Sequence, residues 1–184
     1  CTGGSPGDLG WFHGAPELAT PFTALARCAY AALLLQQGAA DEARVWFAGL
    51  PAPGSPRIPA FIALPLEAWR AELAADLGDA VTAEACHRLL LPHADLHVVG
   101  GAGAISTHGS VRGALGVAAL AAGRPEAAVR HLEAAVAAND AAGLVPWAAQ
   151  ARCRLAVALR ERGRRGDADA ALAAARAAHE AAAS

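Results

Sequence analysis

At 184 residues, with 55% hydrophobic and 17% charged residues, the chain has enough apolar content for a packed core and too little charge for wholesale disorder. The formal net charge of −2 excludes the broad basic field of a nucleic-acid-binding surface; all 15 basic residues are arginines. No run of about 18 apolar residues free of charge and proline occurs, which argues against a membrane-spanning helix.

The chain opens on Cys1, has no methionine and shows no basic-then-apolar leader, so it reads as a piece of a longer polypeptide. Residues 1–14, rich in glycine, form an irregular lead-in, and residues 15–184 form a single helical-repeat domain. From Pro21 onward apolar residues recur at helical spacing, interrupted by glycine or proline. Helices are expected at about 20–37, 40–50, 59–77, 80–93, 107–122, 125–139, 145–162 and 167–182, and only Leu96–Val99 has strand character. Short turns between them imply antiparallel hairpins at about 20–50, 59–93, 107–139 and 145–182. The fold class is therefore all-α. Alanine dominates the second half, combining high helix propensity with a side chain small enough for helices to approach closely. Cys1, Cys28, Cys86 and Cys153 are far apart and suit free thiols of a reducing cytoplasm rather than a disulfide framework.

The pattern repeats. Gly38, Gly78, Gly123 and Gly163 mark the hairpin turns at steps of about 40 residues. Five residues after each of the first three comes a small residue (Ala43, Ala83, Ala128), and four later a larger one (Phe47, His87, Leu132). In the fourth hairpin the segment Gly163-Arg-Arg-Gly166 reads as a longer turn, which moves the small residue to Ala171. Before the turns, Leu115-Gly116 and Leu155-Ala156 hold the inner face of the first helix.

The stretch LGVAALAAGRPEAAVRHLEAAVAAND (115–140) resembles a tetratricopeptide repeat, with Leu115, Gly116, Gly123, Ala128, Leu132 and Ala135 at its signature places. More broadly, residues 87–163 resemble the C-terminal helical region of large bacterial, actinobacterial-type ATPase regulators. Some of these carry LuxR-type or SARP-type DNA-binding domains, and others an adenylate cyclase domain. The resemblance implies a tetratricopeptide-like α-α superhelix of about four antiparallel hairpins. It further implies a concave face, lined by the first helix of each hairpin, that binds a protein or peptide partner or neighbouring domains of the same chain. Neither a phosphate loop nor a helix-turn-helix occurs in these residues, so the neighbours' activities are not implied for them.

Four constellations suggest chemistry. Gly101-x-Gly103-x-x-Ser106, after a short apolar run and before a helix, has the order of a nucleotide-binding turn, where glycines let backbone N–H groups reach a phosphate. No second strand or acidic residue completes a βαβ unit, and the bland alternative is an extended linker with Ser106 or Thr107 capping the next helix. Cys86, His87, His93, Asp95 and His97 contain metal-ligand residue types, but His87 occupies the slot filled by Phe47 and Leu132, which favours a packed core histidine. Ser106, His108 and Asp95 lie close in sequence without the elbow that exposes a nucleophile. Arg152, Arg154, Arg160, Arg162, Arg164 and Arg165 gather near a helix C-terminus, where cations meet the dipole favourably. Trp11, Trp46, Trp69 and Trp147 read as gap fillers between hairpins, with groove lining as the alternative.

The resulting expectation is a non-catalytic regulatory interaction or sensing domain with no catalytic residue, cofactor or metal assigned. A small-ligand receptor using residues 100–109 is the alternative, and an enzyme comes last. A bound peptide needs a row of polar groups along the first helices, whereas a small ligand needs an enclosed pocket.

Overall fold

In the computed structural model the described residues are 21–100 and 106–183, so the lead-in at 1–14 and Trp11 lie outside them. They are mostly helical. The elements are α1 (Pro21–Gln36), α2 (Ala40–Ala48), α3 (Ala60–Leu77), α4 (Ala80–Leu90), a single 3-10 turn (Leu91–His93), strands β1 (His97–Gly100) and β2 (Ser106–Ser110), then α5 (Val111–Ala121), α6 (Pro125–Ala141), α7 (Val145–Glu161) and α8 (Arg165–Ala183).

One backbone device ends most of these helices. Gly38, Gly78, Gly123, Gly143 and Gly163 all adopt φ between 69° and 79°. The residue after each glycine donates its N–H back to the last helical turn: Ala39 to Leu34 O, Asp79 to Ala74 O, Arg124 to Ala119 O, Leu144 to Asn139 O and Arg164 to Leu159 O, all at 2.8–2.9 Å. A left-handed glycine satisfies carbonyls that the helix end leaves free and reverses the chain within two residues. Gly143 gives α6 and α7 the same turn, so α5 to α8 form an unbroken zigzag with equal spacing.

The fourth hairpin needs a correction. Gly163 alone makes the turn, and α8 already starts at Arg165, with Gly166 inside its first turn. The fully buried small residue is therefore Ala168, five after Gly163 as in the other hairpins, and Ala171 is only partly buried. At the third crossing, a Cβ on Gly116 would fall 2.8 Å from Leu132 Cδ2, so α5 and α6 approach closely there, beside fully buried Ala128 and Ala135.

Helix boundaries differ where the backbone finds other partners. The helix expected at 80–93 stops at Leu90, with Pro92 in the following 3-10 turn. The helix expected from 107 starts at Val111, because Ser106–Ser110 pairs antiparallel with His97–Gly100. Ser110, not Ser106 or Thr107, caps α5, its hydroxyl accepting from Arg112 N at 3.3 Å.

The core is a chain of three clusters. Cys28, Leu34, Ala43, Trp46, Leu66 and Leu73 join α1, α2 and α3. Ala71, Cys86, Leu90, Val98, Val111 and Leu115 join α3, α4, β1 and α5. Ala128, Leu132, Ala156, Leu159 and Ala168 join α5 through α8. The central helix α3 is covered on most sides, which buries an ion pair: Arg70 is 2% and Glu67 5% exposed, with Arg70 Nε 3.3 Å from Glu67 Oε2. Their remaining valences hold the α2–α3 loop. Arg70 donates to Pro51 O, and Gly54 N donates to Glu67 Oε1 at 3.1 Å. Cys86 Sγ donates to Glu67 Oε2 at 3.4 Å. Burial pushes the Cys28 thiol up to about 12, and burial together with Glu67 raises Cys86 further, so both remain neutral thiols. Cys153 is a free, exposed thiol on α7.

Candidate functional site

The first helix of every hairpin turns a stripe toward one side. On α3 the stripe is Trp69, Glu72 and Asp76; on α5 it is Gly113, Val117, Leu120 and Ala121. On α7 it is Trp147, Gln150, Arg154, Val157 and Glu161, all at three- and four-residue intervals that keep one helical face. α1 adds Cys28, Ala29 and Ala32. Small residues on α5 let α3 and α7 face each other across it.

The result is a groove with two clefts. The largest is an open cleft of about 560 Å³ with Val117, Leu120, Ala121, Pro125 and Val157 as apolar walls and Asp76, Arg154 and Glu161 as its charges. A smaller cleft of about 130 Å³ lies between α1 and α3, lined by Ala29, Ala32, Trp69, Glu72, Leu73 and Asp76. Asp76 belongs to both clefts. Between α3 and α7, Arg154 Nη1 meets Glu72 Oε1 at 2.8 Å, spanning the groove floor. Burial works against the Arg154 charge, but Glu72 and Asp76 outweigh it and raise its pKa. Burial raises the Asp76 carboxyl, Arg154 only partly opposing it and Glu72 adding to it.

One end of the groove is closed by the β-hairpin. His108 of β2 stands edge-on between two indoles, 4.6 Å from Trp69 and 5.4 Å from Trp147 by ring centroids. Burial lowers its pKa against the pull of Glu72. Gly109 (φ 78°) makes this seating possible. A Cβ there would fall 2.9 Å from Trp147 Cβ and 3.2 Å from Asn139 Oδ1, the atom that accepts from Ser110 N at 2.8 Å.

The constellations expected from the sequence fare differently. The turn Gly101-x-Gly103-x-x-Ser106 falls mostly outside the described residues, but the segments flanking it are two antiparallel strands, so no helix N-terminus follows at Ser106. Cys86, His87, His93, Asp95 and His97 do not converge. Cys86 turns to Glu67, His87 meets His131 edge to face with ring centroids 5.6 Å apart, Asp95 pairs with Arg112 at 2.6 Å, and His93 is exposed. Among the described residues no group of three or more His, Cys, Asp or Glu side chains is placed to hold a metal. Ser106 donates to Gly100 O at 3.1 Å, Asp95 is tied to Arg112, and His108 is held by the tryptophans, so these three do not form a relay.

Of the repeat positions, Ala43, Ala83, Leu115, Ala128, Leu132, Ala135 and Ala156 are fully or almost fully buried; His87 is buried, and Phe47 and Leu155 partly so. Five of the six clustered arginines form ion pairs: Arg152 with Asp140, Arg154 with Glu72, Arg160 with Asp169, Arg162 with Glu126 and Arg164 with Asp167, leaving Arg165 at the start of α8. Trp46 packs inside the first hairpin against Tyr30 at 4.6 Å, while Trp69 and Trp147 line the groove. The residues that sequence reasoning missed are Glu72, Asp76 and Glu161. Their signal, acidic residues in register with tryptophans on first helices, was present but not distinctive. A second depression of about 500 Å³ lies at the α4 start and the α5–α6 turn, beside the Arg124–Glu84 ion pair.

Among the described residues no helix is long and apolar enough to cross a membrane. Compared with protein-family models, curated proteins and solved structures, the chain matches none of them.

Proposed function

We propose that the chain is a non-catalytic interaction module whose hairpins wind as a tetratricopeptide-like right-handed superhelix, and that the groove along its first helices takes an extended segment of a protein partner or of a neighbouring domain. The observation that carries this reading is the row Glu72, Asp76, Gln150, Arg154 and Glu161 between apolar walls. A row of polar groups beside an open cleft suits an extended chain better than a small molecule, which binds where most of its surface can be enclosed. The resemblance of residues 115–140 to a tetratricopeptide repeat supports the same reading, as does the Gly116–Leu132 crossing. In this view the module is part of a cytoplasmic bacterial regulator. It reports the presence of a partner to an ATPase or output domain elsewhere in the polypeptide.

The test uses a displayed random-peptide library selected on the 184-residue chain. Val157 is 52% exposed inside the groove and Val81 is 82% exposed at the second depression, so both tolerate a large side chain. Selected peptides should lose binding to Val157→Trp and keep it with Val81→Trp. Binding that ignores Val157→Trp, or no selection above background, refutes the reading.

A further inference from the structure

We propose that the groove is specific for a basic segment: an extended stretch of partner protein that places an arginine or lysine at Asp76, with apolar neighbours on Val117, Leu120 and Val157. This inference rests on the groove reading above and adds the chemistry of the occupant.

The argument begins with charge balance. The two clefts contain three carboxylates, Glu72, Asp76 and Glu161, and one cation, Arg154. Arg154 is already engaged by Glu72 at 2.8 Å. Among the described residues neither Asp76 nor Glu161 has an ion-pair partner within 4.0 Å, so the cleft keeps an excess of negative charge. Elsewhere paired and unpaired acids both occur, Glu42 and Glu133 having no ion-pair partner among the described residues. Glu84, Glu126, Asp95, Asp140, Asp167 and Asp169 each have an arginine.

Position supports the same conclusion. Asp76 lines both clefts, so a cation there can send its aliphatic stem along Ala29, Ala32 and Leu73 of the smaller one. Trp69 forms another wall of that cleft, and an indole face favours a guanidinium or ammonium group. The backbone on either side then runs along the larger cleft toward Glu161. The raised Asp76 carboxyl fits this arrangement, because an incoming cation would supply the stabilisation that its surroundings withhold.

The probes are three fluorescent peptide pools of about nine residues, randomised over Ala, Leu, Val and Ser, with a fixed central Arg, Gln or Glu. Binding to the 184-residue chain is read by fluorescence anisotropy at low salt. The Arg pool should bind at least tenfold more tightly than the Gln pool, with the Glu pool weakest, and the preference should shrink as salt is raised. Asp76→Asn with Glu161→Gln, checked for native circular dichroism, should bring Arg binding down to the Gln level. Asp76→Arg should invert the order in favour of Glu. Equal binding of the Arg and Gln pools, both abolished by Val157→Trp, overturns the charge assignment and leaves the groove reading intact. Insensitivity of all pools to Val157→Trp overturns both. Displacement of the Arg pool by agmatine at the same concentration makes the occupant a free amine and overturns the peptide assignment. Concentration-dependent dimerisation that Val157→Trp abolishes makes it a second copy, with the same consequence.

Discussion

Gly113 and Gly116 lie one turn apart on α5, and replacing each by alanine separates close packing from helix propensity. Both substitutions restrict the unfolded chain and favour the helix, a gain of about 0.4–1 kcal/mol. At Gly113 no atom lies within 4 Å of the added Cβ, so the gain survives. At Gly116 the new methyl meets Leu132, whose Cδ2 is 2.8 Å away and whose side chain is fully buried among Ala119, Ala128 and Leu159. Leu132 has no free space to enter, and overpacking of this kind costs about 1–3 kcal/mol. The net result is a loss of about 1–2 kcal/mol at Gly116 and a gain of about 0.5 kcal/mol or more at Gly113. With a urea slope of about 2 kcal/mol per molar, the Gly116→Ala midpoint should fall by roughly 0.5–1 M while that of Gly113→Ala rises slightly. Far-UV circular dichroism during urea unfolding measures both. Midpoints that rise together would refute the close crossing of α5 and α6.

Three further outcomes follow from the described contacts. Arg70→Met leaves the Glu67 carboxylate buried without its partner and should cost about 3–5 kcal/mol in urea unfolding, most of it recovered when Glu67→Leu is added. Asp79 caps α4 by accepting from Thr82 N at 3.0 Å and Thr82 Oγ1 at 2.6 Å, so Asp79→Ala should lose about 1 kcal/mol at neutral pH. Those hydrogen bonds lower its carboxyl pKa, so the difference from wild type should shrink as pH falls through the folded value. His131 is held down to about 4 by burial, His87 and nearby arginines, against an ordinary 6.5. As pH drops through that window the unfolded chain takes the proton first, so thermal stability should decline from about pH 6.5 toward 4, and His131→Gln should flatten the slope. An unchanged slope in that variant would sink the assignment.

The helices were legible because glycine stops and a 3.6-residue apolar period are local signals, and both survive in the fold. What misled was also local. Gly166 resembles a second turn glycine, yet one left-handed residue at Gly163 suffices to reverse the chain. Strand β2 was hidden because Ser106–Ser110 is polar and glycine-rich, and its strand character comes only from pairing with His97–Gly100 across the intervening loop. The Glu67–Arg70 pair reads as an ordinary surface i, i+3 pair until α2, α4 and the loop at 49–59 cover α3. Of the groove, the polar and aromatic residues were visible one helix at a time. Their meeting across α5 depends on how three helices pack, which no single segment encodes.

The seat of His108 between Trp69 and Trp147 has a consequence for how the molecule comes apart. A linear stack in which each helix touches only its neighbours can unzip from an end, one interface at a time. Here β2 leans on α6 and α7 while its partner strand leans on α3, so the second, third and fourth hairpins share one fastening. Opening it exposes two indoles and releases Asn139 from Ser110 in the same event. That shared event ties segments distant in the chain into one cooperative unit spanning α3 to α7. Helix α8, which packs chiefly on α7, and the first hairpin, α1 and α2, which packs on α3, take no part in the fastening, so the two ends of the array open separately from the shared transition of α3 to α7.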